Sequence, residues 1–287
     1  MERVVRHEWV EMELAMVKEI DIIDSAFSHA PGMSWYNVPK LIKWVRGNPV
    51  RRPIRFFTDR NIGQVDNYPA DVNVALLMEP RNLDDTGYSI CLGKLQQFKY
   101  VLTYDTDFKQ KLGDKGLFYP IGGCWIKPDQ QAIHPKTELC SMIASAKNIA
   151  PGHRLRHEIA AKHPDKINLY GGGYRPVEFK AQALSPYMFS FAIENVKAND
   201  LFTEKIIDCF LTGTVPIYWG TSELYKYFGT RGVMEFTDAA SAGEILDVLT
   251  PDLYHSLLPH IEYNFYEAMK YRVAEDWFFE KYTFLLG

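Results

Sequence analysis

The sequence predicts an α/β fold of two Rossmann-like halves, each on a parallel sheet, and three observations carry that reading. Short runs of β-branched and aromatic residues recur along the chain, bounded by Pro, Asp or Gly. Stretches of helical periodicity separate them, and strand–helix alternation is the mark of a parallel sheet. In the second half the alternation is regular enough to read as successive Rossmann-like units. Taken in order, strands are expected at 54–57, 72–77 and 100–102, with the longer stretches 59–70 and 105–120 read as irregular, variable connections. Then follow a strand at 139–143, a helix at 153–162 and strands at 167–170 and 188–193. A helix at 202–212, a strand at 215–219, a further helix, a strand at 232–236 and a helix at 242–249 complete the second half. The boundary falls near 130–140, giving domains 1–135 and 136–287, and the helical stretch 253–286, with Trp277, Phe278, Phe279 and Tyr282, could pack back on the first domain.

Composition bounds the function. With 287 residues, 47% hydrophobic and 24% charged, the chain is long enough for two modest domains and is neither collagenous nor disordered. The 32 basic against 36 acidic residues leave a net charge of −4, so no general basic excess points to nucleic acid or an anionic membrane. Residues 1–8 carry no apolar signal core, and no stretch approaches the ~18 apolar residues of a membrane span. A cytoplasmic bacterial or viral protein, or the soluble part of a longer chain, is therefore expected. Cys91, Cys124, Cys140 and Cys209 are widely spaced without a CxxC pair and read as reduced core thiols.

The chemistry concentrates in one segment. The strand Phe189-Ser190-Phe191-Ala192-Ile193 ends in Glu194-Asn195, which places polar side chains at the carboxyl edge where open α/β sheets bind ligands. Asp200 reads as the N-cap of the next helix, Ile206/Phe210 and Ile207/Leu211 as its buried i, i+4 pairs, and Gly213 as its C′ residue. Thr203, Glu204 and Lys205 then lie in or just beyond the first turn, where a lysine lacks the dipole benefit it has at a C-terminus. An anionic ligand resolves that conflict: a phosphate would use Lys205 and the free amides, and Glu204 could accept from ribose hydroxyls. The alternative is an exposed Glu–Lys pair on a solvated helix.

This run, Phe-x-x-Glu-Asn, then Thr-Glu-Lys, then Gly-Thr-Val-Pro, resembles the donor-binding signature of the α1,3/1,4-fucosyltransferases, glycosyltransferase family 10. Upstream, Lys136-Thr137-Glu138-Leu139, Ser145, Asn148 and Arg154 resemble the segment that sets an arginine on the donor pyrophosphate. Leu102-Thr103-Tyr104-Asp105-Thr106-Asp107, Tyr119-Pro120 and Glu79-Pro80 are similar to further family motifs, and the resemblance is clearest over 135–240. It implies a glycosyltransferase B (GT-B) fold, an acceptor glycan held mainly by the first domain, GDP-fucose held by the second, and inverting transfer of L-fucose to a hydroxyl. By matching positions, Arg154 and Lys205 would neutralise the pyrophosphate. Glu194, Asn195, Thr203 and Glu204 would hold the nucleotide sugar, and Glu79 would be the general base. The resemblance implies no required cofactor, and a divalent metal is not expected in donor binding. The chain departs from the family at Leu201-Phe202, where tyrosine is usual, at Glu79-Pro80 in place of Glu-Ser-Pro, and at Asp105 in place of arginine. Two alternatives stay open: a different nucleotide sugar on the same fold, or a non-catalytic nucleotide-sugar-binding module.

Four rival signals remain. Asp105-Thr106-Asp107 has the Asp-x-Asp spacing of metal-dependent glycosyltransferases, against a loop or helix-cap role. Gly171-Gly172-Gly173 lacks dinucleotide-loop spacing and reads as a turn near the donor cleft. His153 and His157 share a face of one helix and His163 lies just past its end, without the zinc pattern. Trp35, Tyr36, Trp44 and Trp125 read either as a sugar-stacking platform or as core.

Overall fold

The computed structural model describes residues 17–47, 50–68 and 70–286, so the reading of residues 1–8 lies outside the described residues. Six parallel strands form the first sheet: β1 (Lys18–Ile23), β2 (Ile42–Val45), β3 (Ile54–Thr58), β4 (Val72–Leu76), β5 (Tyr100–Thr103) and β6 (Gly116–Phe118), in the order β2-β1-β3-β4-β5-β6. The second sheet is also parallel: β7 (Glu138–Ile143), β8 (Asn168–Tyr170), β9 (Tyr187–Ile193), β10 (Val215–Trp219) and β11 (Met234–Glu235), in the order β11-β10-β9-β7-β8. All seven residues of β9 are buried, the continuous apolar run that a central parallel strand covered on both faces requires. These are two Rossmann-like domains in the GT-B arrangement.

Several elements escape sequence reading. β1 reads as polar because Asp21 sits inside it, yet Asp21 is buried against the equally buried Arg55 of β3 at 2.8 Å. A charge that looks like a surface position is thus half of an internal ion pair. The stretch 59–70, read as irregular, carries a 3-10 helix over Asp59–Asp66, and 105–120 contains α2 (Thr106–Leu112) and the three-residue β6. β2 and β6, with four and three residues, are too short to show a period. α1 (Thr86–Gly93), α3 (Pro151–Lys162) and the short α4 (Ala181–Leu184) lie between strands of their respective sheets.

The chain closes with α6 (Ala239–Val248), α7 (Pro251–Ser256), α8 (Leu258–Met269) and α9 (Ala274–Lys281). α9 packs on the first sheet. Phe278 and Phe279 enter its core, Phe279 lying 5.9 Å from Trp44 and 5.7 Å from Phe56 between ring centroids. The buried Glu275 accepts from Trp44 Nε1 at 3.1 Å and from the Met33 amide at 2.7 Å, while Tyr282 donates to the Phe118 carbonyl at 2.8 Å. Trp44 is therefore a core residue, unlike Trp35, Tyr36 and Trp125, which stay partly exposed. The four cysteines are free and buried. Among the described residues, no helix is long and apolar enough to cross a membrane.

Candidate active site

The helix after β9, α5 (Glu204–Phe210), starts later than the sequence suggests. Its N-cap is Thr203, whose side chain accepts from the Lys205 amide, and not Asp200. Asp200 takes a left-handed φ of 57° and sends its carboxylate elsewhere, to Tyr227 Oη at 2.6 Å, Lys226 Nζ at 3.1 Å and Thr106 Oγ1 at 3.1 Å. Capping from Thr203 makes Glu204 the first helical residue and brings three charged side chains together. Glu194, buried at the end of β9, accepts from the Thr203 amide at 2.9 Å and its hydroxyl at 2.8 Å. Lys205 Nζ lies 3.3 Å from Glu194 Oε2, 3.2 Å from Glu204 Oε1 and 3.0 Å from Thr203 Oγ1. Gly152 lets α3 approach this turn, because a Cβ there would lie 1.8 Å from the Glu194 carbonyl oxygen.

A second cation completes the cluster. Lys180 Nζ pairs with Asp208 Oδ2 at 2.8 Å and Glu204 Oε1 at 3.5 Å, and lies 4.4 Å from the Trp125 ring centroid. The Trp125 amide donates to the other Asp208 oxygen at 2.7 Å. Burial works to raise the Glu204 carboxyl, but the Lys205 and Lys180 ammoniums and the Thr203 hydroxyl hold it down at about 2. Lys180 was not singled out from the sequence. The signal for it was present: Glu204 and Asp208 are acids at i, i+4 on one helix face, a repulsive spacing that calls for a cation between them.

Of the two arginines on α3, Arg156 and not Arg154 lines a cavity. Arg154 is exposed, bonds only the Ile149 carbonyl, at 3.3 Å, among the described residues and does not line the cavity. Arg156, two residues on, is buried and lines it; its Nη2 donates to the Ile193 carbonyl and, at 3.2 Å, to Asn195 Oδ1. Two residues in a helix rotate a side chain by roughly 200°, which decides between solvent and ligand cavity. His153 closes α3 by accepting from the Ala150 amide at 3.1 Å, and burial lowers its pKa. His157 contacts Tyr174 Oη and the Lys147 carbonyl, each at 3.0 Å.

Two cavities, about 350 and 480 Å³, share Trp125, Lys147, Asn195, Glu204 and Lys205 as walls. Arg156, His153 and Lys180 line the first, whereas Glu79, Trp35, Glu194 and Thr203 line the second. Residues following the carboxyl ends of β4 and β9 thus line two adjoining cavities with a common wall. The exposed Glu79 carboxylate makes no hydrogen bond or ion pair with the described residues. Trp35, at φ 50°, lies against Trp125 with centroids 5.2 Å apart and planes tilted by 32°, and Tyr36 lies 6.2 Å from Trp35. Asp105 caps α2 through the Phe108 amide at 2.8 Å and reaches Arg81 at 3.4 Å, so its oxygens already have structural partners; Asp107 is exposed in the first turn. Among the described residues no three His, Cys, Asp or Glu side chains gather as a metal site. The Gly171–Gly173 turn packs on Ala144 and Ser145 and lines neither cavity.

Comparison with known proteins bears on the same segment. Residues 133–252 match the family model described as glycosyltransferase family 10 (fucosyltransferase), C-terminal. An α-(1,3)-fucosyltransferase of Helicobacter pylori is 35% identical over 77 residues, 27% of this chain and 16% of its own length. A putative fucosyltransferase of Acanthamoeba polyphaga mimivirus is 28% identical over 227 residues, 69% of this chain and 37% of its own. The chain thus spans well under half the length of these curated relatives. In fold, it is similar to a crystal structure of an α1,3-fucosyltransferase with GDP (TM-score 0.59, 15% identity, covering 96% of this chain and 92% of that one). It is equally similar to HepE of Anabaena solved with UDP-glucose (TM-score 0.62, 10% identity, 93% and 99%). Residues 133–252, which hold the Glu194–Lys205 cluster, are thus similar to the C-terminal part of glycosyltransferase family 10, the fucosyltransferases.

Proposed function

We propose that this protein is a glycosyltransferase that moves L-fucose from GDP-fucose to a hydroxyl of a glycan or glycoconjugate, with inversion at the anomeric carbon. The observation that carries the reading is the pairing of opposite chemistries around two adjoining cavities: Glu79, a carboxylate without a partner among the described residues, on the first sheet's side, and Lys205, Lys180 and Arg156 on the second's. The acceptor oxygen attacks C1 of fucose while the bond from C1 to the β-phosphate oxygen breaks. GDP leaves with the bonding electrons, and the hydroxyl proton passes to Glu79. Charge builds on the diphosphate, where fixed cations in a partly closed cleft stabilise it most. Asn195 and Glu204 orient the nucleotide, Glu204 remaining ionised and able to accept from ribose hydroxyls. Residues 1–135, with the returning α9, take the acceptor, and the Trp35–Trp125 pair offers flat faces on which a pyranose ring stacks. No metal takes part in this scheme.

A second reading has its own observation: Leu201 and Phe202 are buried and apolar where the family commonly has tyrosine, which leaves the sugar identity open to another nucleotide sugar. Calorimetric titration with GDP, UDP, GDP-fucose, GDP-mannose and UDP-glucose, with and without Mn²⁺, separates them. Metal-independent binding selective for GDP and GDP-fucose, followed by GDP release when glycoside acceptors are added, is expected. Binding of UDP that needs Mn²⁺ overturns the proposal, and tight GDP binding without turnover on any acceptor favours a binding module.

A further inference from the structure

The segment that presents Glu79 is held in an unusual way. Between Leu77 and Arg81 the main chain leaves β4 and runs along the cavity rim, a position where loop amides and carbonyls ordinarily turn to water. Here side chains from three other segments take them. The Tyr119 hydroxyl donates to the Leu77 carbonyl at 3.1 Å, the Tyr88 hydroxyl to the Glu79 carbonyl at 3.0 Å, and the Arg81 amide donates to Tyr104 Oη at 3.2 Å. At the centre, a single oxygen of Asp59 accepts the amides of both Met78, at 2.8 Å, and Glu79, at 3.1 Å.

Asp59 is costly to keep there. Its backbone takes φ 42°, a left-handed conformation that disfavours most side chains, and its second carboxylate oxygen is buried without a partner among the described residues. Gly87, in the first turn of α1, lies against it so closely that a Cβ would sit 3.0 Å from the Asp59 Cα. Backbone strain and a half-satisfied buried carboxylate persist where the surrounding structure over-determines them, and such sites gather at functional positions. Ordinary loop closure does not call for this arrangement, since a water could serve two amides at a rim.

We infer that Asp59 is the positioning residue for Glu79: by clamping the Met78 and Glu79 amides on one oxygen, it fixes where the Glu79 carboxylate meets the acceptor hydroxyl. The inference rests on Glu79 acting as the base in the proposed transfer. General-base transfer needs the carboxylate within hydrogen-bond reach of the hydroxyl proton, and a displacement of about 1 Å costs on the order of 10²-fold.

Asp59→Gly tests it cleanly, because glycine adopts φ 42° without strain and removes only the clamp. Asp59→Asn keeps an acceptor oxygen and also tolerates the left-handed region. With GDP-fucose and a panel of simple β-glycosides, Asp59→Gly is expected to lower kcat about 30- to 100-fold while the KM for GDP-fucose and the calorimetric Kd for GDP stay within twofold. Asp59→Asn should recover at least about tenfold of that loss. A folded Asp59→Gly protein with kcat within threefold of the parent overturns the inference, as does a loss that Asp59→Asn does not recover, or one in which GDP affinity falls in step. Glu79→Gln, assayed alongside, separates the two levels. If it turns over like the parent, the base assignment falls; if it is inactive while Asp59→Gly is not, only the clamp falls.

Discussion

The two walls of the cleft handle carboxylates in opposite ways. On the second sheet's wall, Glu194 and Asp208 are buried and Glu204 is half-buried, and each lies within 3.3 Å of a lysine ammonium. On the first sheet's wall, neither Glu79 nor the second oxygen of Asp59 has a partner among the described residues. The contrast follows from what each wall is proposed to meet. A leaving diphosphate needs a surplus of fixed cations, and carboxylates interleaved among Lys180 and Lys205 hold those cations in place until the ligand arrives. A base needs a carboxylate that no cation has claimed, so that its proton affinity remains available.

Removing one member from each wall breaks this comparison most sharply. Lys205→Ala is expected to lower kcat/KM by about 10³-fold and weaken GDP binding by tenfold or more, read by turnover and calorimetry. Glu79→Gln should cost about 10²–10⁴-fold in kcat and leave GDP affinity alone; a parallel loss of GDP binding would assign Glu79 to the wrong wall. Arg156→Lys should weaken GDP binding about tenfold, and Arg154→Ala by less than threefold, since only the former side chain lines the cavity. The reverse ranking would sink the reassignment. Trp35→Ala should raise the acceptor KM about tenfold with donor binding intact, because it removes one of the two aromatic faces of the pair.

The smallest effect is on stability, and it has opposite signs on the two walls. Glu204 sits at about 2 in the folded protein, below its ordinary 4.5, so its contribution is present above pH 4.5 and lost as pH falls through about 2. Asp59 is pushed up to about 6 from 3.8 by burial, against the Met78 and Glu79 amides and with the Glu79 and Asp84 carboxylates adding to the rise. Folding therefore favours its protonated form, and that contribution is present below pH 3.8 and lost as pH rises through about 6. Urea melts across pH 3 to 8 should show Asp59→Asn gaining about 1–3 kcal/mol on the parent above pH 6, whereas Glu204→Gln loses a similar amount above pH 4.5. Equal slopes for the two variants would contradict the difference in their surroundings.

How far the sequence reaches differs along the chain. β9, β10 and the Glu194–Lys205 cluster are legible because a continuous apolar run and a short loop keep the motif local: the chemistry sits within twelve residues of itself. β1 is not legible, because Asp21 looks like a surface residue until Arg55 is seen opposite it. Arg154 and Arg156 are two steps apart in a pattern that tolerates either, and only the packing of α3 against β9 through Gly152 turns one inward. Lys180 and Asp59 share a further reason for being missed. Their partners, Asp208 at 28 residues and Met78 at 19, stand at no period that a helix or strand imposes.

The sequence by itself determined the parallel α/β class, the family resemblance and the identity of the motif on the second sheet, since each is written in nearest-neighbour pattern and apolar periodicity. Only the tertiary structure decided which arginine faces the cavity, that Lys180 joins Glu204 to Trp125, that Trp44 is core while Trp35 is rim, and that a strained Asp59 grips the backbone of Glu79. Those are facts about approach in space. The free energy of burying a charge or orienting a ring depends on what stands across from it, and the chain brings that partner near only when both sheets are folded.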